Sequence, residues 1–208
     1  MGLAMRITVV AALFFATSLF ATNFVANPYV CKKCHEAQFT FWENTKHASA
    51  YLVLFAKNQH FDPSCIKCHS LGFKVPEGFQ AITRPVALSE KVPSSPKRPW
   101  VEAVMDEVFV GDKKTALDSR AEPERYQKLK KKYHQALNEK QNAGEFSKVY
   151  ISVQCEHCHG NREEHLRTGK RGVKFTENSC RGCHRPPNAD PYDPKRLKSQ
   201  SCPMVAKR

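Results

Sequence analysis

The pentapeptide Cys-X-X-Cys-His occurs four times in this chain of 208 residues. The copies begin at Cys31, Cys65, Cys155 and Cys180, and together they use eight of the nine cysteines. Two thiols separated by two residues can form thioether bonds to the two vinyl groups on one edge of a porphyrin, and the next histidine then binds the iron. The repeated pattern is the attachment signature of c-type haem.

Zinc sites and disulfides are the competing explanations for so many cysteines. Zinc bound by four thiolates needs no histidine after every second cysteine, and disulfides need no Cys-X-X-Cys spacing. The sequence therefore predicts four covalently bound haem c groups. The predicted attachment residues are Cys31, Cys34, Cys65, Cys68, Cys155, Cys158, Cys180 and Cys183, and the predicted proximal iron ligands are His35, His69, His159 and His184.

Five histidines lie outside the proximal positions and are candidates for the opposite side of each iron: His47, His60, His134, His157 and His165. We predict His47, His165 and His134 as distal ligands, and we favour His60 and His157 less. Met105, Met204 and the ninth cysteine, Cys202, are further alternatives. If only three distal ligands are present, one iron is five-coordinate and can bind a small molecule; if four are present, every iron is six-coordinate. The count of histidines does not decide between these outcomes.

The N-terminus has the composition of an export signal. Arg6 precedes an uncharged apolar run that begins at Ile7, and small residues suited to cleavage follow in 16–18 and at Ala21. An uncleaved membrane anchor is the alternative, because the run is about long enough to span a bilayer. Both interpretations place the remainder of the chain in the periplasm or elsewhere outside the cytoplasm. We assign 1–26 to this segment and 27–208 to a tetrahaem cytochrome domain.

The net charge of the chain is +13, and removing Arg6 with the N-terminal segment leaves +12. Because each haem carries two propionates, four haems reduce the charge to about +8 when oxidised and about +4 when reduced. The remaining basic surface suits redox partner proteins with acidic docking surfaces. Nucleic acid is not an expected partner of an exported protein. The sequence does not indicate the oligomeric state.

The predicted fold is mainly α with much coil, in a single haem-centred domain with stacked c-type haems. One helix is expected over about 36–57, a short one over 100–110 and an amphipathic one over 123–142, which begins at Pro123 and carries His134. The last two belong to a helical insert at 100–143. Five prolines predict an extended loop over 76–99, and 186–194 is also expected to be irregular. The segment 147–153 alternates weakly between apolar and polar residues.

Three segments resemble the cytochrome c-554 family of multihaem cytochromes. The first runs from Cys31 through Trp42 to the His47-Ala-Ser-Ala sequence, the second is Cys65–Phe73, and the third is Val153–Gly160 followed by His165. The resemblance implies a mostly helical periplasmic tetrahaem protein with closely stacked haems. It also implies that His165 binds the iron of the His35 haem and that His47 binds the iron of the His159 haem.

Two departures from the family pattern affect the remaining ligands. The stretch between His69 and Cys155 is long and contains His134, and the tail after His184 contains no histidine. The distal ligands of the His69 and His184 haems are therefore open, and His134 is a candidate for one of them.

The leading functional hypothesis is an exported electron carrier whose haems are mostly ligated by two histidines, with low reduction potentials because methionine is scarce. The resemblance implies electron transfer, and in some members of the family the electrons come from a hydroxylamine-oxidising enzyme. One alternative is an enzyme that acts on a small nitrogen compound at a five-coordinate haem. Another is a subunit of a multihaem conduit or filament, completed by a histidine from a neighbouring subunit.

Overall fold

The computed structural model describes residues 24–60, 62–71, 73, 99–171, 177–186 and 193. Regular structure within these ranges is helical, and strands are reduced to isolated bridges between Ser70 and residues 151 and 152. The described helices are α1 (Pro28–Lys32), α2 (Glu36–Glu43), α3 (Ala50–Ala56), α4 (Pro63–His69), α5 (Pro99–Val108), α6 (Pro123–Asn142), α7 (Cys155–His159), α8 (Glu163–Thr168) and α9 (Asn178–Arg181). The predicted mainly helical class with much coil is confirmed.

The longest helix among the described residues, α6, has the bounds that the sequence predicts. Pro123 occupies its first turn, where the missing backbone N–H costs nothing, and Gly144 follows its end with a φ of +72°. One face of the helix is buried, and its residues are Tyr126, Leu129, Lys130, Tyr133, Ala136 and Leu137. Lys130 belongs to this face because its Nζ donates a hydrogen bond of 2.6 Å to the carbonyl of Asn44.

Helix α5 packs against α6, and both contribute to an apolar core that also includes residues of α3 and α4. Val101, Val104, Met105 and Val108 recur at helical spacing, and all four are buried. Met105, an alternative iron ligand in the sequence, is a fully buried residue of this core. The helix ends two residues earlier than predicted, and the loop that follows is held by Arg125, which donates to Asp112 at 2.8 Å.

The single helix predicted over 36–57 is wrong, because the chain forms a turn between α2 and α3. Polar side chains compete with helical hydrogen bonds there: Asn44 donates to the carbonyl of Thr40, and Thr45 donates to that of Trp42. Tertiary contacts stabilise the turn, since the carbonyl of His47 accepts a hydrogen bond of 3.1 Å from the backbone of Val153. The break brings His47 out of the helix and places it in the turn.

Residues 24–26, which the sequence analysis assigned to the N-terminal segment, belong to the described fold. Ala26 is fully buried, and its carbonyl accepts a hydrogen bond from the backbone N–H of Val149. In the described part of the chain, no helix combines the length and the apolar character that crossing a bilayer requires. The predicted apolar run that begins at Ile7 and nearly all of the predicted irregular segments 76–99 and 186–194 lie outside the described residues.

Candidate haem-binding sites

Each Cys-X-X-Cys-His segment is folded as a helical turn. In the first segment the backbone N–H of His35 bonds to the carbonyl of Cys31 at 2.9 Å, and in the fourth that of His184 bonds to Cys180 at 2.9 Å. The second and third segments lie in α4 and α7. Residues three and four apart share a face of a helix, so the turn directs both thiols and the histidine to one side. This arrangement suits the attachment of a porphyrin by its edge.

His35 of the first segment faces His165 of α8. Their ring centroids are 6.2 Å apart, and the ring planes are inclined by 29°. The Nδ1 atom of His165 lies 2.7 Å from the backbone carbonyl of Lys170, which fixes this nitrogen as the donor. The other ring nitrogen, Nε2, then has its lone pair available for a metal ion. The structure thus brings His165 next to His35, as the resemblance implies, and the binding of one iron by both histidines stays a prediction.

The spacing of the two rings matches a pair of ligands on one metal ion. Metal–imidazole bonds of about 2 Å and a ring radius of about 1.1 Å put the centroids of two opposed imidazoles about 6.3 Å apart. Ordinary aromatic pairs also have centroids about 4.5–7 Å apart, so the support for a shared ion comes from this spacing together with the Nδ1 hydrogen bond of His165, which leaves Nε2 for a metal. The residues present therefore fit an iron ion between His35 and His165.

A second pair with the same spacing joins His47 and His184, whose ring centroids are 6.0 Å apart at an interplanar angle of 68°. Burial, with smaller effects of the neighbouring His184 and His69, lowers the pKa of His47 to about 4. A neutral imidazole offers the lone pair that a metal ion requires. The structure brings His47 next to His184 of the fourth segment, whereas the resemblance implies that His47 binds the iron of the His159 haem. The haem that His47 serves stays a prediction.

His69 and His159 are the two remaining proximal histidines. The Nδ1 atom of His69 lies 2.9 Å from the carbonyl of Ala50, an arrangement that again leaves Nε2 for a metal ion. Burial lowers the pKa of both histidines, so both are neutral bases near pH 7. Within the described residues, no ring of a second histidine is opposed to His69 as His165 is to His35.

His134 lies on α6 between two aromatic rings. Its ring centroid is 6.5 Å from that of Trp42 and 5.3 Å from that of Tyr133, both at steep angles. Its Nε2 atom is buried and has no hydrogen-bond partner among the described residues. Burial, with a smaller effect of Lys130, lowers its pKa to about 4. An unpartnered buried nitrogen fits a ligand position, but within the described part of the chain no proximal histidine is in ring contact with His134.

The two less favoured histidines have packing or hydrogen-bonding roles. His60 packs against the ring of Phe55, with centroids 4.5 Å apart, and burial lowers its pKa to about 4. His157 lies inside the third attachment segment, where its Nδ1 accepts a hydrogen bond of 3.0 Å from the backbone of Gln154. The backbone carbonyl of Ser70 is also within hydrogen-bonding reach of the His157 ring.

The four attachment segments lie close to one another, and the third also contacts the fourth. The Cys31 thiol is in hydrogen-bonding contact with Cys155, and the Cys68 thiol with Cys183. The contact with Cys183 lowers the pKa of Cys68 to about 6 and raises that of Cys183. The first segment therefore adjoins the third, and the second adjoins the fourth. Within the described residues, no group of three or more His, Cys, Asp or Glu side chains is arranged to hold a bare metal ion.

Sequence reasoning missed Glu156, which lies between the two cysteines of the third segment. Its side chain is buried, and its carboxylate accepts hydrogen bonds from the backbone N–H groups of Val25, Ala26 and Arg162. An acidic residue beside two attachment cysteines was visible in the sequence. Its donors were not, because they come from segments about 130 residues before it and six residues after it.

Comparisons with known proteins bear on the first two segments. Residues 30–92 match the family model described as cytochrome c554 and c-prime. A search of curated proteins and a search of solved structures each gave no match. The matched residues include Cys31, His35, His47, Cys65 and His69, which carry two attachment segments and one predicted distal ligand. The family resemblance predicted from the sequence is confirmed over residues 30–92, where the chain is similar to c-type cytochromes of the c554 and c-prime family. Covalent haem and electron transfer are properties of that class of protein.

Proposed function

We propose that this protein is an exported tetrahaem c-type cytochrome that carries electrons between redox partners through closely spaced haems. The observation that carries the proposal is the pair of opposed imidazoles at 6.2 Å, His35 with His165, and the second pair at 6.0 Å, His47 with His184. Both spacings suit one iron ion held between two histidines. The contacts between Cys31 and Cys155 and between Cys68 and Cys183 would bring the haems of each pair of segments close together.

The chain's own residues hold and orient the cofactor. The eight cysteines of the four segments would form the thioether bonds, and His35, His69, His159 and His184 would be the proximal ligands. Hydrogen bonds to backbone carbonyls fix the tautomers of His69 and His165 so that Nε2 is the ligand atom. Haem supplies one-electron redox chemistry when bound, and burial with histidine ligation sets its potential.

Two histidines on one iron leave no vacant coordination position for a substrate. Such an iron changes its coordination little on reduction, which is the behaviour an electron carrier requires. The sites of the His35 and His184 haems have this character. We propose that His134 supplies a further distal ligand, because its Nε2 atom is buried without a hydrogen-bond partner among the described residues.

The exposed side chains of the attachment segments favour an acidic partner. Lys32 and Lys33 lie between the cysteines of the first segment, Lys67 lies in the second, and all three are exposed. Arg185, directly after the fourth segment, is also exposed. Positive charges beside the haem attachment sites would steer an acidic redox protein to the place where electrons enter or leave.

A second candidate function is supported by His69. Since no histidine ring in the described part of the chain opposes it, its iron would be five-coordinate and able to bind a small ligand. The protein would then be an enzyme acting on a small nitrogen compound. Turnover of nitrite or hydroxylamine, together with a high-spin ferric signal, would support this function over the first.

Low-temperature electron paramagnetic resonance of the oxidised protein tests the proposal, because it distinguishes low-spin, six-coordinate irons from high-spin, five-coordinate ones. We expect at least two low-spin signals, from the His35–His165 and His47–His184 sites. His134→Ala should convert one further low-spin iron to high-spin, and Asn138→Ala, an exposed position on the same helix, should change nothing. A spectrum unchanged by His134→Ala would show that His134 is not a ligand, and a wild-type spectrum without low-spin iron would contradict the proposed carrier.

A further inference from the structure

The Glu156 carboxylate is buried in the third attachment segment, and its hydrogen bonds come from two separate parts of the chain. Its Oε2 accepts from the backbone N–H of Ala26 at 2.7 Å. Its Oε1 accepts from Val25 at 3.1 Å and from Arg162 at 2.9 Å. Burying a carboxylate is costly unless hydrogen bonds replace its water, and three backbone donors satisfy this requirement here.

The first group of donors leads directly into the first attachment segment. Residues 25 and 26 precede Asn27, whose side chain caps α1 by accepting a hydrogen bond from the backbone of Tyr29 at 3.1 Å. Helix α1 contains Cys31, and the first segment ends at His35. The Asn27 side chain also donates to Gln141 of α6 and to the carbonyl of Ser147. Glu156 therefore anchors the short stretch of chain that determines where His35 lies.

The second donor leads into the helix that carries His165. Arg162 is the N-cap residue of α8, and His165 follows three residues later. The Oε1 atom of Glu156 accepts hydrogen bonds from both Val25 and Arg162, so one oxygen joins the two segments. The first segment and α8 supply the two rings whose centroids are 6.2 Å apart.

We propose that Glu156 is a positioning residue for the His35–His165 ligand pair, holding the segment before α1 and the start of α8 in register with each other. This inference rests on the proposed function, in which these two histidines bind one iron. Glu156 touches neither the iron nor the porphyrin in this proposal, and it acts through the backbone of the two segments. Glu156 makes none of its three backbone hydrogen bonds with the segments that carry His47 or His184, so that pair provides an internal reference.

Glu156→Gln tests the proposal in the holoprotein. The glutamine is nearly the same size, but it replaces one acceptor oxygen with an NH2 group that faces backbone donors. We expect the low-spin resonance signal of the His35–His165 iron to shift or to convert in part to high-spin, while that of the His47–His184 iron stays unchanged. Glu163→Gln removes an exposed carboxylate from α8 and should leave both signals as in the wild type.

Two ligand variants assign the signals and separate failure of the inference from failure of the proposed function. His165→Ala should abolish one low-spin signal, and His47→Ala should abolish a different one. If His165→Ala leaves every low-spin signal unchanged, the proposed binding of iron by His35 and His165 is wrong. If His165→Ala acts as expected and Glu156→Gln leaves the same signal at its wild-type position and intensity, the positioning role is overturned.

A measurement on the wild-type protein covers the case in which Glu156→Gln does not mature. Hydrogen exchange of the peptide that contains Val25 and Ala26 should be at least about 100-fold slower than in an unstructured chain, because both amides donate to a buried carboxylate. Exchange at the unstructured rate would show that the carboxylate does not hold this segment and would overturn the proposal.

Discussion

The helix pair α5 and α6 and the attachment segments are built on different physical principles. In the helix pair, apolar side chains at helical spacing pack into a core whose members Val104, Met105 and Leu129 are fully buried. The helices of the attachment segments have four to seven residues, and α8 and α9 contain no buried residue at all. The helix pair is stabilised by packing of its own side chains. Helices α7, α8 and α9 have almost no apolar core.

The difference shows where the cofactor would contribute to stability. Isolated helices of four to seven residues are not stable in water, so the short helices need contacts from outside themselves. His35 is exposed and His165 is half-buried in the structure, as expected if a porphyrin is to cover them. We infer that the third and fourth attachment segments and α8 depend on haem for their order, whereas the helix pair folds by apolar packing in a core that Ile66 of the second segment shares.

Removing one haem should have the largest effect, and the effect should be confined to one region. Cys155→Ala together with Cys158→Ala prevents attachment at the third segment, and the expected mass corresponds to three haems. Hydrogen exchange over 155–168 should accelerate by at least about 100-fold, while exchange in α6 changes little. Cys202→Ala, which alters the one cysteine outside the attachment segments, should retain all four haems. Equal loss of protection in both regions would abolish the distinction between them.

Removing one distal ligand should have a smaller effect, limited to one site. His165→Ala leaves the iron of the His35 haem with five ligands, so we expect one low-spin iron to become high-spin in the oxidised protein. Added imidazole should restore the low-spin signal by occupying the vacant position. Thermal unfolding monitored by the circular dichroism of the helices should change little, since α8 buries no side chain. Persistence of every low-spin signal would contradict the assignment.

Truncating a core residue of the helix pair tests the other half of the comparison. Leu129 is fully buried, and Leu129→Ala should reduce the free energy of unfolding by about 2–5 kcal/mol through lost apolar burial and the resulting cavity. The resonance spectrum should keep the same number of low-spin irons. Lys131→Ala, at an exposed position on the same helix, should change stability by less than about 0.5 kcal/mol. Denaturant titration provides the free energies.

A substitution at Asp112, in the loop between α5 and α6, should have the smallest effect on the free energy of unfolding. The size of that effect should depend on pH. A hydrogen bond from Arg125 is the main cause that lowers the pKa of Asp112 below its usual 3.8. The carboxylate therefore stabilises the fold above that usual pKa, and the contribution disappears as the pH falls through the lowered value.

Asp112→Asn should accordingly reduce stability at pH 7 by no more than about 1 kcal/mol. The difference from wild type should vanish in acid, below the lowered pKa of Asp112. Glu107→Gln, at an exposed position on α5, serves as the control. A destabilisation that persists unchanged in acid would mean that the ion pair is not its cause.

The bounds of α6 could be predicted from the sequence, because Pro123, Gly144 and a regular apolar stripe are local signals. The break between α2 and α3 could not, because it depends on Lys130 of α6 donating to Asn44 and on Val153 donating to His47. Both donors lie more than 80 residues from their acceptors. A pattern of apolar residues carries no information about such tertiary contacts.

The candidate site shows the same division. The attachment cysteines and proximal histidines are identified by spacing alone, which is a covalent requirement of the cofactor. The partner of each proximal histidine depends on how distant segments meet, so the pairing of His47 with His184 was not predictable from spacing. The role of Glu156 was not predictable for a related reason, since it is visible only in the backbone donors that surround the carboxylate.

The mass of the natively exported and matured protein tests the central claim most directly. The account predicts a polypeptide that carries four covalently bound haem groups, together with the Soret absorption band of haem. A mature protein with the mass of the polypeptide alone, or with fewer than four haems, would contradict it.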